Sequence, residues 1–148
     1  MRSRGFTLIE LLVALAIMAI VSAIAVPIYT QYSVRTQRTN AEKDLLMCAQ
    51  SMERLASIGF TYAGLVGPGA DTGAVTPNIC TPSTTMYAIT VQVANAHTFT
   101  IRATPTSGPV FNPSDGILEV DANGAQRWDR SRPIDNDFND PNETSWAH

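Results

Sequence analysis

The sequence predicts an α+β chain: one long N-terminal α-helix, a membrane half and an amphipathic half, packed on a four-stranded antiparallel β-sheet. Three observations lead there. Residues 6–28 are overwhelmingly apolar and carry a single charge, Glu10. Residues 29–58 keep a helical spacing of apolar positions but alternate them with charges. Beyond residue 86, apolar side chains recur at every second position in short runs broken by turn residues.

Taken in order, residues 1–5 are a short segment carrying Arg2 and Arg4, and positive charge there favours the cytoplasmic side of a membrane. As a helix, residues 6–28 span about 34 Å, enough to cross a hydrocarbon core of ~30 Å. No comparable apolar run follows. An ordinary secretory signal fits poorly. The run is too long, no small-x-small site follows cleanly (Ser22-Ala23-Ile24-Ala25 is the nearest), and Glu10 opposes insertion. A plain membrane anchor explains the length, but gives no reason for Glu10 or for Gly5 before Phe6. Pro27 removes a helical hydrogen bond and crowds the preceding turn. It either ends or bends the membrane segment, or marks a point where the helix can locally unwind when packed against partners.

From Tyr29 to Ile58, Ala41, Leu45, Cys48, Met52 and Leu55 recur at steps of three and four. They make one apolar stripe, widened by Leu46, Ala49 and Ala56, that should face a sheet. Gly59 is placed to end the helix. Residues 59–85 are rich in Gly, Pro and Thr and read as a surface-covering loop. Tyr87, Ile89, Val91 and Val93 define the first strand, and Phe99, Ile101 and Ala103 the second, with Asn95 in the turn between. Ile117–Val120 is the third, Asp121-Ala122-Asn123-Gly124 a hairpin turn, and Ala125–Trp128 the fourth. One face of this sheet should cover the amphipathic half of the helix. Trp146, in the polar tail, is expected to pack back on the domain.

The chemistry of sites is sparse. His97 and His148 lie in a turn and at the chain end, without a nucleophile at persuasive spacing, and the glycines form no phosphate-binding motif. The reading is not an enzyme and needs no cofactor. A net charge of −3 argues against nonspecific nucleic-acid binding. The interleaved Arg127-Trp128-Asp129-Arg130-Ser131-Arg132 stretch is the one place where a DNA contact is conceivable, against a solvated loop. Asp135, Asp137 and Asp140 are oxygen ligands that would suit calcium, against a solvated loop capping the sheet edge, and their spacing matches no complete EF-hand.

Gly5-Phe6-Thr7-Leu8-Ile9-Glu10-Leu11-Leu12 resembles the class III signal of type IV pilins and pseudopilins. Pro27 and the following Tyr29 and Tyr32 match the same family. Ala49-Gln50-Ser51-Met52-Glu53-Arg54, Thr61-Tyr62-Ala63-Gly64, Phe99–Pro105 and Gly116–Asp121 are similar to the PilE-type minor pilins. Ala19 departs from the glycine of many major pilins.

The resemblance implies a leader, residues 1–5, removed between Gly5 and Phe6 by prepilin peptidase, with N-methylation of Phe6. It implies a transmembrane and assembly helix over residues 6–28 and a periplasmic pilin domain over residues 29–148. Glu10 is then the assembly residue, either pairing with the Phe6 ammonium of a neighbouring subunit or neutralising its own N-terminus.

The implied orientation puts Cys48 and Cys80 in an oxidising compartment, where an even count favours one disulfide, with two free thiols the cytosolic alternative. Such a bond would close a loop of about 33 residues, worth roughly 3–4 kcal/mol. With no cysteine after Cys80, the C-terminal loop cannot be closed by a disulfide as in many pilins.

The function implied is a minor structural subunit that helps initiate or join a type IV pilus, serving motility or adhesion. Its partners would be other pilins, prepilin peptidase and the inner-membrane assembly platform. It would sit in the bacterial inner membrane before assembly and on the cell surface after it. A major pilin, a type II secretion pseudopilin and a DNA-uptake pilin are the alternatives.

Overall fold

The computed structural model describes residues 6–66, 70–106, 115–129 and 145–146. A single helix, α1, runs from Leu8 to Gly59, followed by β1 (Gly73–Ala74), β2 (Tyr87–Ala94), β3 (Phe99–Pro105), β4 (Ile117–Asp121) and β5 (Gln126–Asp129). The strands form one antiparallel meander in chain order. The sheet therefore has five strands where four were expected. The addition, β1, pairs Gly73 with Val91 and Ala74 with Thr90 at the free edge of β2. Two residues are too few to show a period of two, and Gly73 holds φ +133°, so no strand signal exists there. Pairing to β2 creates it.

α1 passes through Pro27 without ending. The helix terminates as expected near Gly59, but the residue that turns left-handed is Phe60, at φ +58°, whose N–H donates to the Ala56 carbonyl. Gly59 is the last helical residue and does not supply the left-handed cap.

The predicted stripe is the core-facing side. Ala41, Leu45, Cys48 and Met52 are fully buried and Ala56 nearly so. Leu55 is half-buried, and Leu46 faces outward. Opposite them lie Phe99, Ile101 and Ala103 of β3, Leu118 and Val120 of β4, and Tyr87, Ile89 and Val91 of β2. Val93 is the exception, being 43% exposed while Ala94 is buried. The register between β2 and β3 slips between Val91 and Val93, so Gln92 forms a bulge. One extra residue reverses which face each later side chain takes.

The Cys48–Cys80 disulfide forms and pins the 59–85 segment to the helix. One turn away, Asp44 secures the same segment. Its carboxylate accepts the Ser83 N–H at 2.8 Å, the Ser83 hydroxyl at 3.0 Å and the Thr84 N–H at 2.9 Å. In the β4–β5 turn, Asp121 accepts the N–H groups of Asn123 and Ala125 at 2.9 and 3.0 Å, and Gly124 supplies positive φ. Gly116, at φ +96°, lies so close to the Asp129 carbonyl and the Trp128 indole that a Cβ would collide with both. Trp146 is buried as expected, its Nε1–H donating to the Arg127 carbonyl at 2.9 Å.

Candidate functional site

Every residue from Phe6 to Tyr29 is exposed, and the described residues of the domain cover none of this stretch. Among the described residues, α1 is the one helix long and apolar enough to cross a membrane. The exposed apolar surface is far larger than a soluble monomer normally shows, so something outside the chain covers it.

At its start, Thr7 is the N-cap and Glu10 the third helical residue, and the two form a capping box. The Thr7 N–H and hydroxyl both donate to Oε2 of Glu10, each at 2.9 Å, and the Glu10 N–H donates to Thr7 Oγ1 at 3.4 Å. These bonds satisfy donors that a helix N-terminus leaves open. The Thr-x-x-Glu spacing is itself the signature of this motif and was legible in the sequence. Both donations fall on Oε2, which leaves Oε1 without a bond among the described residues. Glu10 lines a shallow apolar groove with Ile9, Val13, Ala14 and Ile17. Gly5 and the leader lie outside the described residues.

At Pro27 the missing N–H deprives the Ala23 carbonyl of its helical donor. Three residues on, the Thr30 hydroxyl donates to the Pro27 carbonyl at 2.9 Å. The helix here is continuous but lacks one backbone bond.

Where the helix meets the domain, a polar cluster lies hidden that no sequence motif announced. Arg38 forms an ion pair with Asp115, its Nε donating to Oδ2 at 2.9 Å. The Tyr87 hydroxyl donates to the same Oδ2 at 2.6 Å, and the Arg38 guanidinium stacks over the Trp128 ring at 4.0 Å. The Trp128 Nε1–H donates to the Asp115 carbonyl at 2.9 Å. Burial works against the Arg38 charge, but Asp115 outweighs it and holds the guanidinium more firmly protonated than usual. Burial, then Asp115, pushes the Tyr87 hydroxyl well above the ordinary tyrosine range. These residues come from α1, β2, β5 and the turn before β4, with Arg38 and Asp115 alone 77 positions apart, so nothing local marks them.

The basic stretch around Arg127 reads differently in three dimensions. Arg127 pairs with Glu119 at 3.0 Å and Asp121 at 3.1 Å, and Arg102 pairs with Glu119 at 2.9 Å. This cross-strand ladder on β3, β4 and β5 engages the cations it contains. Arg130 and Arg132 lie outside the described residues, as do Asp135, Asp137 and Asp140. His97 sits on the rim of a cleft with Glu53, Phe60 and Tyr62. The Tyr62 hydroxyl donates to Glu53 at 2.9 Å, and burial together with that carboxylate raises its pKa.

Comparison with known proteins places this arrangement. Residues 1–26 match the prokaryotic N-terminal methylation motif. Residues 27–112 match the family described as type IV minor pilin ComP, DNA uptake sequence receptor. A fimbrial protein of Pseudomonas aeruginosa is 36% identical over 93 residues, covering 51% of this chain and 60% of the relative. The chain thus spans less than two thirds of that relative's length. A fimbrial protein of Neisseria meningitidis serogroup B is 29% identical over 140 residues, covering 90% of this chain and 76% of the relative. The type IV major pilin protein PilA of Myxococcus xanthus is 43% identical over 44 residues, covering 30% of this chain and 20% of the relative. No solved structure matches significantly. The chain belongs to the type IV pilin family, with a ComP-type pilin domain behind an N-terminal methylation motif.

Proposed function

We propose that this type IV pilin is a non-catalytic minor subunit that helps start or enter a pilus. It is cut between Gly5 and Phe6, methylated at Phe6, and held in the inner membrane with its globular domain in the periplasm until assembly. The observation that carries the reading is the bare apolar helix with one carboxylate near its start. Lipid covers that helix first and the helices of neighbouring pilins cover it later, in contact with the assembly platform. Both environments are apolar, so close packing and polar contacts, rather than hydrophobicity, must select the filament.

Glu10 supplies the polar contact. Its Oε2 serves the chain's own cap, and its unbonded Oε1 supports a role in receiving the Phe6 ammonium of an adjacent subunit. Glu10→Gln retains the acceptor oxygen that a capping box needs and removes only the charge. The variant is expected to be processed and folded but depleted from sheared filaments. Wild-type incorporation would exclude charge pairing as the basis of register. Mass spectrometry of those filaments tests the minor role directly, since a major pilin would dominate their protein. Deleting the gene with retraction also disabled, then scoring surface pili, separates initiation from passive entry.

The match to a family described as a DNA uptake sequence receptor favours a second reading, reception of DNA by the assembled pilus. The pairing of Arg102 and Arg127 with Glu119 and Asp121 weakens the Arg127 cluster as its basis. A mobility-shift assay with detergent-solubilised full chain decides it, with no shift at low salt ruling it out.

A further inference from the structure

The helix carries a second feature, just past the apolar run. Tyr29, Tyr32 and Arg35 follow at steps of three, which places them along one broad helix face. Tyr29 is 71% exposed and Tyr32 69%, and Arg35 is exposed beside them. Among the described residues, none of the three bonds to the rest of the chain through its side chain. With Val21, Ile24, Ala25 and Ile28, the tyrosines line an open apolar groove. The contrast with Arg38 is instructive. One turn later, that arginine is taken into the domain by Asp115 and Trp128. Arg35 has no such partner within reach of its own segment, because no acidic residue occurs between Glu10 and Glu42.

Distance along the helix gives these residues an address. At ~1.5 Å per residue, Tyr29 lies about 35 Å from Phe6, Tyr32 about 39 Å and Arg35 about 44 Å. A bilayer has a hydrocarbon core of ~30 Å and measures ~40–45 Å with its headgroup layers. With Phe6 at the outer edge of the opposite headgroup layer, Tyr29 falls at the boundary of the core, Tyr32 in the headgroup layer and Arg35 at its outer limit. Tyrosine suits that layer, where the ring is buried and the hydroxyl stays wet, and a guanidinium suits phosphate.

We propose that Tyr29, Tyr32 and Arg35 form an interfacial collar that docks on phospholipid headgroups and sets the depth at which the helix waits in the membrane. The collar lies on the leaflet facing the globular domain. It holds Phe6 and Glu10 at the opposite interface, where an N-terminus can be processed and a carboxylate can stay hydrated. This inference rests on the reading that residues 6–28 span a bilayer.

The test uses purified full-length chain in vesicles of phosphatidylethanolamine and phosphatidylglycerol, without other pilus proteins. Single cysteines are introduced as Ala14→Cys, Ala25→Cys or Ser33→Cys, and a membrane-impermeant maleimide is added to intact vesicles. Cys48 and Cys80 are silent because they are bonded to each other. With the collar intact, Ser33→Cys is labelled, while Ala25→Cys and Ala14→Cys are protected. In the background Tyr29→Ala/Tyr32→Ala/Arg35→Gln, the boundary moves, changing the rate at Ala25→Cys or Ser33→Cys by about threefold or more. Unchanged rates at both positions overturn the collar. Rates that follow protein density at fixed lipid composition assign the face to a second copy and overturn it as well. Labelling of Ala14→Cys with the collar intact removes the membrane span itself, a failure distinct from that of the collar.

Discussion

The two halves of α1 have the same backbone and opposite circumstances. From Phe6 to Tyr29 every side chain is exposed, and none is buried by the described residues of the domain. From Val34 onward the helix enters the core, with Ala41, Leu45, Cys48 and Met52 completely buried. The second half is also bonded to the domain covalently through Cys80, ionically through Asp115 and by hydrogen bonds from Ser83 and Thr84. A single helix is thereby divided between two kinds of stabilisation. The domain half is held by its own chain, and the bare half depends on whatever surrounds it. Substitutions should accordingly alter domain stability in one half and only location or assembly in the other.

The largest expected effect is at the junction. Asp115→Ala leaves Arg38 desolvated without its partner and should lower domain stability by about 3–5 kcal/mol, read from denaturant midpoints. Arg38→Leu/Asp115→Leu should recover much of the loss, since neither buried charge then remains. A null result at Asp115 would mean that burial of α1 by the sheet suffices without the ion pair. Next, Cys48→Ala/Cys80→Ala should cost roughly 3–4 kcal/mol by freeing the loop in the unfolded chain. A matched pair of leucines makes the comparison sharpest. Leu45→Ala should destabilise the domain by about 3 kcal/mol, whereas Leu15→Ala should leave its melting unchanged in the same detergent. An equal shift at both positions would contradict the division of the helix.

The smallest effect concerns pH. The Tyr87 hydroxyl loses its proton less readily when folded than when unfolded. Its contribution is complete below the unfolded value of about 10 and declines as pH rises beyond that, because only the unfolded chain then ionises there. Tyr87→Phe should lose the hydrogen bond to Asp115, worth about 1 kcal/mol, yet show a shallower decline in stability above pH 10. Thermal melts of both proteins across that range make the comparison. Identical alkaline slopes would show that the hydroxyl does not couple to folding.

Much of this is legible in the sequence alone. Leu45, Cys48 and Met52 declare their face by spacing alone, because a helix returns every three or four residues to the same side. The alternation of Phe99, Ile101 and Ala103 does the same for β3. Other features were obscured by short segments or irregular geometry. β1 is too brief to have a period, and the bulge at Gln92 reverses Val93 and Ala94 in a run whose alternation looked unbroken. Phe60 takes the left-handed cap beside a glycine better suited to it. Within the site, Gly5, Phe6 and Glu10 stand together in sequence and could be found together. Thr7 as the partner of Glu10 was equally visible in the Thr-x-x-Glu spacing.

What the sequence determined by itself is whatever depends on neighbours along the chain: the membrane-length run, its one carboxylate, the amphipathic stripe, and the turns around Asn95 and Gly124. What only the tertiary structure decided is whatever joins distant positions. Arg38, Tyr87, Asp115 and Trp128 become one cluster, Asp44 becomes the anchor of Ser83 and Thr84, and Arg127 is drawn into a ladder with Glu119 and Asp121. The physical reason is that a buried charge must find a partner wherever folding brings one, and no local pattern records that choice.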